Sequence, residues 1–289
     1  MNRREFLVGA TATGLMPTAG TAEAGGLKVR FLGTGAADWD GRDERGELRR
    51  LSSVLVDDEI LIDYTPTAED MLPKGTHPET IFYTHSHGDH YQPAAALRLG
   101  VRRVYVHESW VDGARAEFAA AAKRLGLSAP EVRGLPFGVA ETVNGMRFTC
   151  VPANHGTRRM GERAAMYLVE KGATRLLYAT DTGGIMAEAA RIVGIDAHVA
   201  NGTPITALIM EATMGIGHED DFRIYTHSSV ATVAQIVRVL TMTKRYLPPP
   251  GRKVYLTHMA RTLHGTQAEV AASVPAPLCP AHDGLEVVF

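Results

Sequence analysis

The chain has 289 residues and a formal net charge of −2, and 45% of its residues are hydrophobic, enough for a large core. A charge this close to zero argues against a broad electrostatic grip on nucleic acid. No internal repeat, low-complexity segment or linker divides the chain, so one domain is expected. Cys150 and Cys279 lie beside apolar runs and are typical of small core residues, although the sequence also permits one disulfide.

Residues 1–24 are predicted to be a signal peptide, which leaves 25–289 as the folded domain. Residues 2–8 (NRREFLV) resemble a twin-arginine export motif, and a mildly apolar stretch follows them. This stretch ends at Ala22-Glu23-Ala24, a small-residue pattern typical of signal cleavage, and it is too short and polar for a membrane anchor. We therefore expect a periplasmic or secreted protein with no membrane anchor after cleavage. The alternative is a disordered N-terminal tail.

Short apolar strands alternate with amphipathic helices along the folded part. The predicted strands are Leu27–Leu32, Ser53–Val56, Ile60–Asp63, Ile81–Thr84, Arg103–Val106, Arg147–Val151, Met166–Glu170, Arg175–Ala179, Ala207–Glu211 and Lys253–Thr257. The predicted helices are Pro93–Leu99, Ser109–Leu125, Gly184–Val193, His227–Thr243 and Thr266–Val274. The charged run Trp39–Arg50 is predicted to be a solvated loop near the mouth of a site.

Three histidines and an aspartate lie within six positions directly after the apolar run 81–83. His85 and His87 are two apart at a strand end, so their side chains point the same way and can hold one metal ion. Asp89 and His90 follow the turn that Gly88 allows and can face a second ion. Imidazole and carboxylate are ligands of Zn²⁺-like ions, so the pattern predicts a metal site rather than a solvated polar turn.

This H-x-H-x-D-H pattern resembles the signature of the metallo-β-lactamase superfamily. Further landmarks occur in the order of that family: the glycine-rich turn Leu32–Gly35, the strand-end Asp63, and then His155, Asp181 and His258. The resemblance runs from about Leu27 to the C-terminus. It implies an α/β fold, the four-layer αβ/βα sandwich, with metal ions at one edge of two facing sheets.

The resemblance also implies a site with two divalent metal ions. We expect Zn²⁺, while Mn²⁺ and Fe²⁺ accept the same ligands. It assigns His85, His87 and His155 to the first ion, Asp89, His90 and His258 to the second, and Asp181 to a bridging position. Water shared by two such ions has its pKa lowered from 15.7 to about 7, which supplies hydroxide as the nucleophile. Taken alone, His155 and His258 would be ordinary loop histidines, and Asp181 could cap a helix.

Two further segments are similar to ribonuclease Z and to the phosphoribosyl cyclic-phosphate phosphodiesterase family. Glu211-Ala212-Thr213 ends a predicted strand, and Thr226-His227-Ser228-Ser229 opens a predicted helix. The similarity implies that Asp89, Glu211 and His227 are catalytic, with Glu211 orienting His227. His227 would stabilise charge or protonate the leaving oxygen. The alternative is that His227 is an N-terminal helix residue.

The phosphodiesterase family also has a structural zinc site, which this chain is expected to lack. Residues 39–50 contain no cysteine, and Arg261 stands where the corresponding zinc-binding histidine would be. No third metal is therefore expected.

The expected function is hydrolysis of a small anionic ester by a dinuclear-metal-bound hydroxide, with a phosphodiester as the first choice and no nucleic-acid partner. Arg158 and Arg159 follow His155 and are predicted to bind the anionic group, unless they are solvated loop residues. An arylsulfatase-like sulfate ester hydrolase is the alternative. A lactonase or β-lactamase is less favoured, because carbonyl chemistry does not need Glu211 and His227. A protein that binds without turnover would be expected to lack a ligand, whereas all seven are present. A homodimer is compatible with these expectations.

Overall fold

The computed structural model describes residues 25–198 and 202–289. The predicted signal peptide, residues 1–24, lies outside the described residues. The strands are β1 (Lys28–Gly33), β2 (Ser53–Val56), β3 (Ile60–Ile62), β4 (Thr80–Phe82), β5 (Arg103–His107), β6 (Glu131–Leu135), β7 (Ala140–Val143), β8 (Met146–Pro152), β9 (Ala165–Lys171), β10 (Thr174–Ala179), β11 (Ala207–Glu211), β12 (Val254–Thr257), β13 (Leu278–Pro280) and β14 (Glu286–Val288). The helices are α1 (Pro93–Leu99), α2 (Val111–Leu125), α3 (Ala187–Val193), α4 (Val230–Met242) and α5 (Gln267–Ser273). None of the described helices is both long and apolar enough to cross a lipid bilayer.

The strands form two mixed seven-stranded sheets. The first has the order β14-β1-β2-β3-β4-β5-β6, and the second has the order β13-β12-β11-β10-β9-β8-β7. Strands β3 to β6 are parallel to one another, as are strands β10 to β13. The carboxyl ends of each parallel set therefore lie at one edge of its sheet.

Apolar side chains fill three layers of core. Between the sheets, Phe82 of the first sheet stacks on Phe148 of the second, with ring centroids 4.3 Å apart. On the outer face of the first sheet, α2 buries Phe118 against the side chains of β4 and β5. On the outer face of the second sheet, α4 buries Val233 and Val237. Two facing sheets flanked by helices confirm the predicted α/β sandwich.

Each predicted strand occurs, with bounds within two residues of the prediction. The missed strands are β6, β7, β13 and β14. All four lie at the ends of the sheets. Of these, β7 and β14 expose much of their surface, so they lack the apolar run that marks a buried strand. Strand β13 has three residues, and β6 contains a glycine. Two predicted helix starts, Gly184 and His227, are three residues too early. Helix α3 begins at Ala187, and α4 begins at Val230 after its N-cap Ser229.

The loop Trp39–Arg50 is solvated in its middle, but the prediction is wrong at both ends. Trp39 is buried, and its Nε1 donates to the carbonyl oxygen of Met259 at 2.8 Å. Arg49 is also buried and donates to Oγ1 of Thr34 at 2.8 Å. Trp39 thus packs against the segment that follows β12, whereas Arg49 contacts the segment that follows β1.

Both cysteines are free thiols. Cys150 is buried in the core between the sheets, and Cys279 is partly buried on β13. The interpretation as small core residues therefore fits Cys150, and no disulfide links the pair.

Candidate metal centre

The site lies where strands of both sheets end. His85 follows β4 in the first sheet, whereas Asp181 follows β10 and His258 follows β12 in the second. Ligands in α/β proteins characteristically bind outside the carboxyl ends of strands. The structure brings together all seven predicted ligands: His85, His87, Asp89, His90, His155, Asp181 and His258.

Three imidazoles form the first group of ligand atoms. Nδ1 of His87 lies 3.0 Å from Nε2 of His85 and 3.2 Å from Nε2 of His155. A single cation among these three nitrogen atoms could contact all of them. This group coincides with the set predicted for the first ion.

The second group combines Asp89, His90 and His258. Nε2 of His90 lies 3.3 Å from Nε2 of His258 and 3.2 Å from Oδ2 of Asp89. Oδ2 of Asp89 is also 3.5 Å from Nε2 of His258. This group coincides with the set predicted for the second ion.

Asp181 lies between the two groups. Its Oδ2 is 3.1 Å from Nε2 of His90, and its Oδ1 is 3.3 Å from Nε2 of His258. The same Oδ1 is 3.8 Å from Nε2 of His155, which belongs to the first group. One carboxylate therefore reaches towards both candidate ion positions.

The chemistry of these donors fits a metal ion. Ring nitrogens lie 3.0 to 3.3 Å apart in each group, an arrangement in which lone pairs pointing inward could all contact one shared cation. Burial holds the pKa of His85 well below its usual value and lowers the pKa of His87 to about 4. Neutral imidazole is the form that binds metal. The described residues are therefore suited to holding metal.

The carboxylates also have the charge state that a cation needs. Burial opposes ionisation of Asp181, but the adjacent His258 and His90 outweigh it and hold the pKa of Asp181 well below its usual value. Burial likewise opposes protonation of His90, but Asp181, Asp89 and Asp63 outweigh it and raise the pKa of His90. The carboxylates that stabilise the proton on His90 can stabilise a metal cation in its place.

Asp63 braces the histidine loop, as the family resemblance implies. Its Oδ2 accepts a hydrogen bond from Nδ1 of His90 at 2.8 Å, and its Oδ1 accepts one from the backbone N–H of Thr84 at 2.8 Å. With Nδ1 of His90 engaged by a carboxylate, Nε2 is left to face the ligand cluster.

Three residues at the site have a left-handed backbone that non-glycine residues rarely adopt. The φ angles are 56° at Asp63, 48° at Asp181 and 52° at His258. Each follows the end of a strand, and such strained conformations concentrate at functional sites. The strain turns the chain sharply, so that the side chains converge instead of continuing the sheet.

The buried Glu211 and the partly buried His227 form a pair beside the cluster. Nδ1 of His227 lies 3.0 Å from Oε1 of Glu211, and its ring is 4.8 Å from the ring of His155. Burial lowers the pKa of His227, but Glu211 outweighs it and raises the pKa to about 9. His227 lies two residues before Ser229, the N-cap of α4, so the start of this helix holds His227 beside the cluster.

The two arginines predicted to bind substrate have different surroundings. Arg159 donates to both carboxylate oxygens of Glu117 at 2.8 Å, and its guanidinium lies over the ring of Trp110 at 5.6 Å. Arg158 is exposed. Arg159 is therefore engaged in the fold, while Arg158 faces solvent three residues after His155.

Glu162 and Thr213 are site residues that the sequence interpretation missed. Glu162 accepts hydrogen bonds from the backbone N–H of Ser86 at 2.7 Å and from its hydroxyl at 2.6 Å. It thereby ties the segment after His155 to the histidine loop. Glu162 belongs to no recognised motif. Thr213 belongs to the segment Glu211-Ala212-Thr213, but no role is predicted for its side chain from the sequence.

Comparison with known proteins gives one family match and several structural neighbours. The family described as Beta-lactamase superfamily domain matches residues 59–259. No curated protein sequence matches the chain.

Three of the solved structures with a similar fold show how far the likeness extends. A diphosphatase from the PhnP family is 22% identical, with a TM-score of 0.62, over 91% of this chain and 97% of that chain. Zn²⁺-bound PqqB from Methylobacterium extorquens is 18% identical, with a TM-score of 0.62, over 91% of this chain and 100% of that chain. Human short-form tRNase Z is 17% identical, with a TM-score of 0.62, over 90% of this chain and 98% of that chain. At these identities the likeness is one of fold.

Proposed function

Since the chain belongs to the beta-lactamase superfamily and is a metal-dependent hydrolase, we propose that it cleaves a small phosphate ester, preferably a phosphodiester. The observation that carries this proposal is the contact between His227 and the buried Glu211, 3.0 Å apart beside the ligand cluster. Such a pair can hold a proton next to a leaving oxygen, which phosphodiester cleavage needs.

In the proposed hydrolysis, different residues of the site bind the metal ions and transfer the proton. Two bound divalent cations, which we take to be Zn²⁺, would activate a water and offset charge on the phosphoryl oxygens. Asp89 and Asp181 supply the negative charge that holds the cations. His227 donates its proton to the leaving oxygen, and Glu211 keeps the ring in place while the proton leaves.

Arg158 is the arginine that we propose for contact with the substrate anion. It is exposed and close in sequence to His155, whereas the guanidinium of Arg159 already binds Glu117. One of the structural neighbours is named a diphosphatase, which is consistent with an anionic phosphate substrate. We further propose that the enzyme is exported and that its substrate is a small ester rather than a nucleic acid.

Exposed aromatic side chains beside His227 favour an apolar group on the leaving side of the ester. Phe222 is 74% exposed and Tyr225 is 79% exposed, so both rings are open to contact with a ligand. Their segment is fixed at the site, because Nδ2 of Asn154 donates to the carbonyl oxygen of Tyr225 at 3.3 Å. A leaving group protonated by His227 would lie close to this segment.

We expect Tyr225→Ala to raise KM for an aryl phosphodiester by about 2–10-fold with little change in kcat, the range for one aromatic contact. KM for a methyl ester should stay close to that of the parent. Leu127→Ala is the matched control, since Leu127 is 46% exposed but follows α2 at the opposite edge of the sheet. Steady-state kinetics would contradict the aromatic contact if both variants changed KM equally.

The substrate class is tested by comparing bis(p-nitrophenyl) phosphate with p-nitrophenyl sulfate on one metal-loaded preparation. We expect the phosphodiester to have the higher kcat/KM. Faster turnover of the sulfate would contradict the phosphodiesterase proposal and favour the sulfate ester hydrolase. If the metal-loaded protein hydrolysed neither ester, both the phosphodiesterase proposal and the sulfate ester hydrolase alternative would be contradicted.

A further inference from the structure

Thr213 lies where Glu211 and His258 meet. Its Oγ1 is 2.5 Å from Oε2 of Glu211 and 2.9 Å from Nδ1 of His258. All three residues are at most 2% exposed, so no solvent competes for these contacts. The hydroxyl therefore links a carboxylate to a residue of the second ligand group.

The direction of each hydrogen bond follows from the atoms involved. Both carboxylate oxygens of Glu211 already accept hydrogen bonds from backbone N–H groups, from Thr182 at 2.6 Å and from Thr213 at 3.1 Å. Glu211 is therefore the acceptor, and the hydroxyl of Thr213 donates to it. The carbonyl oxygen of His258 is a second acceptor at 3.1 Å, but it is farther away and uncharged. The hydroxyl oxygen then offers only lone pairs to His258, so Nδ1 of His258 carries the hydrogen.

This arrangement decides which nitrogen of His258 can bind a cation. A neutral ring with hydrogen on Nδ1 has its lone pair on Nε2. Nε2 is the atom that lies 3.3 Å from Oδ1 of Asp181 and 3.3 Å from Nε2 of His90. The Nδ1–H tautomer is therefore the one that the ligand cluster needs.

The first sheet contains the same arrangement with different residues. Oγ1 of Thr84 donates to Oδ2 of Asp63 at 2.7 Å and lies 2.9 Å from Nδ1 of His85. In both sheets the carboxylate also contacts a second histidine directly: Asp63 contacts His90, and Glu211 contacts His227. Two unrelated segments thus present a ligand histidine through a threonine hydroxyl.

We infer that Thr213 is a positioning residue, which fixes the tautomer and orientation of His258 and thereby the affinity of the group Asp89, His90 and His258 for a cation. The inference rests on the cation-binding part of the proposed function and on no property of the ester. Its test therefore needs no substrate.

Thr213→Val removes the hydroxyl with little change of shape. We expect it to weaken binding of the second equivalent of Zn²⁺ by about 10–100-fold, the usual cost of losing a group that orients a ligand. Affinity is measured by competition with a chromophoric chelator on metal-stripped protein. Thr213→Ser keeps the hydroxyl and should bind both equivalents nearly as the parent does.

Thr257→Val is the matched control for this experiment. Thr257 immediately precedes His258 and is buried, but its hydroxyl has no hydrogen-bond partner within the described part of the chain. We expect both Zn²⁺ affinities to stay at the parent values. Equal weakening in this control and in Thr213→Val would overturn the inference.

A second readout reports the tautomer directly. In ¹⁵N-labelled, metal-free protein, long-range ¹H–¹⁵N correlations should show His258 as the Nδ1–H tautomer in the parent and in Thr213→Ser. Thr213→Val should shift it towards a mixture. Parental Zn²⁺ affinity in Thr213→Val would overturn the inference. An Nε2–H tautomer of His258 in the parent would also overturn it, and that measurement does not depend on whether a variant folds. A parent that bound no Zn²⁺ would instead contradict the proposed function on which the inference rests.

Discussion

His227→Ala is expected to lower kcat by about 10²–10⁴-fold on an alkyl phosphodiester, the range for loss of a positioned general acid. An alkoxide is a poor leaving group, so its departure depends on a proton from His227. Metal content should stay close to the parent value, because His227 is not one of the seven proposed ligands. Steady-state kinetics and elemental analysis of the same preparation measure both quantities.

The leaving group provides the control for this prediction. p-Nitrophenolate departs without a proton, so the same variant should lose only a few-fold in kcat on bis(p-nitrophenyl) phosphate. An equal loss on both esters would show that His227 does not protonate the leaving oxygen. Loss of metal would instead show that His227 is a ligand. Its ring lies close enough to His155 and Asp181 for the three residues to hold one ion.

The pH profile should carry the signature of the same residue. The pKa of His227 is raised to about 9, because Glu211 outweighs the opposing effect of burial. The protonated form is the active one, so kcat on alkyl esters should fall as the pH rises through this value. Bound cations favour the neutral ring and would move this fall to lower pH. The fall should be absent from His227→Ala.

Removing the metal ions is expected to abolish ester hydrolysis and to lower the melting temperature. Without a cation, the negative charges of Asp89 and Asp181 repel each other, and only protonated histidines offset that repulsion. A ligand present at 100 times its Kd stabilises the fold by about 2.7 kcal/mol, which amounts to several degrees in Tm for a chain of this size. Activity assays and calorimetry after chelation and after refilling with Zn²⁺ test both effects.

Asp181→Ala should reproduce much of the loss of activity and of the fall in melting temperature without any treatment with a chelator. Its oxygens reach both ligand groups, so we expect the variant to lose at least one equivalent of metal and nearly all activity. Asp112→Ala is the matched control, because Asp112 is an exposed aspartate on α2. Persistent activity in Asp181→Ala, or an unchanged Tm after chelation, would contradict a metal-dependent mechanism.

Much of the fold could be predicted because each buried strand has its own apolar run. Residues 207–211 and 93–99 were predicted with the observed bounds, as strand β11 and helix α1. The edge strands β7 and β14 were missed, because a strand with one exposed edge is defined by its hydrogen-bonded neighbour rather than by its own pattern. Likewise, the burial of Trp39 and Arg49 depends on distant segments of the chain, which follow β12 and β13 respectively.

The sequence by itself determined the family and the ligand residue types, since the H-x-H-x-D-H turn places four donors within one short loop. It also indicated Glu211 and His227 through motifs of their own. Only the tertiary structure decided the role of Thr213, the engagement of Arg159 with Glu117, and the tie between Glu162 and Ser86. The physical reason is that a hydroxyl or guanidinium acquires its function from the partner that folding brings within about 3 Å, and that partner lies far away along the chain.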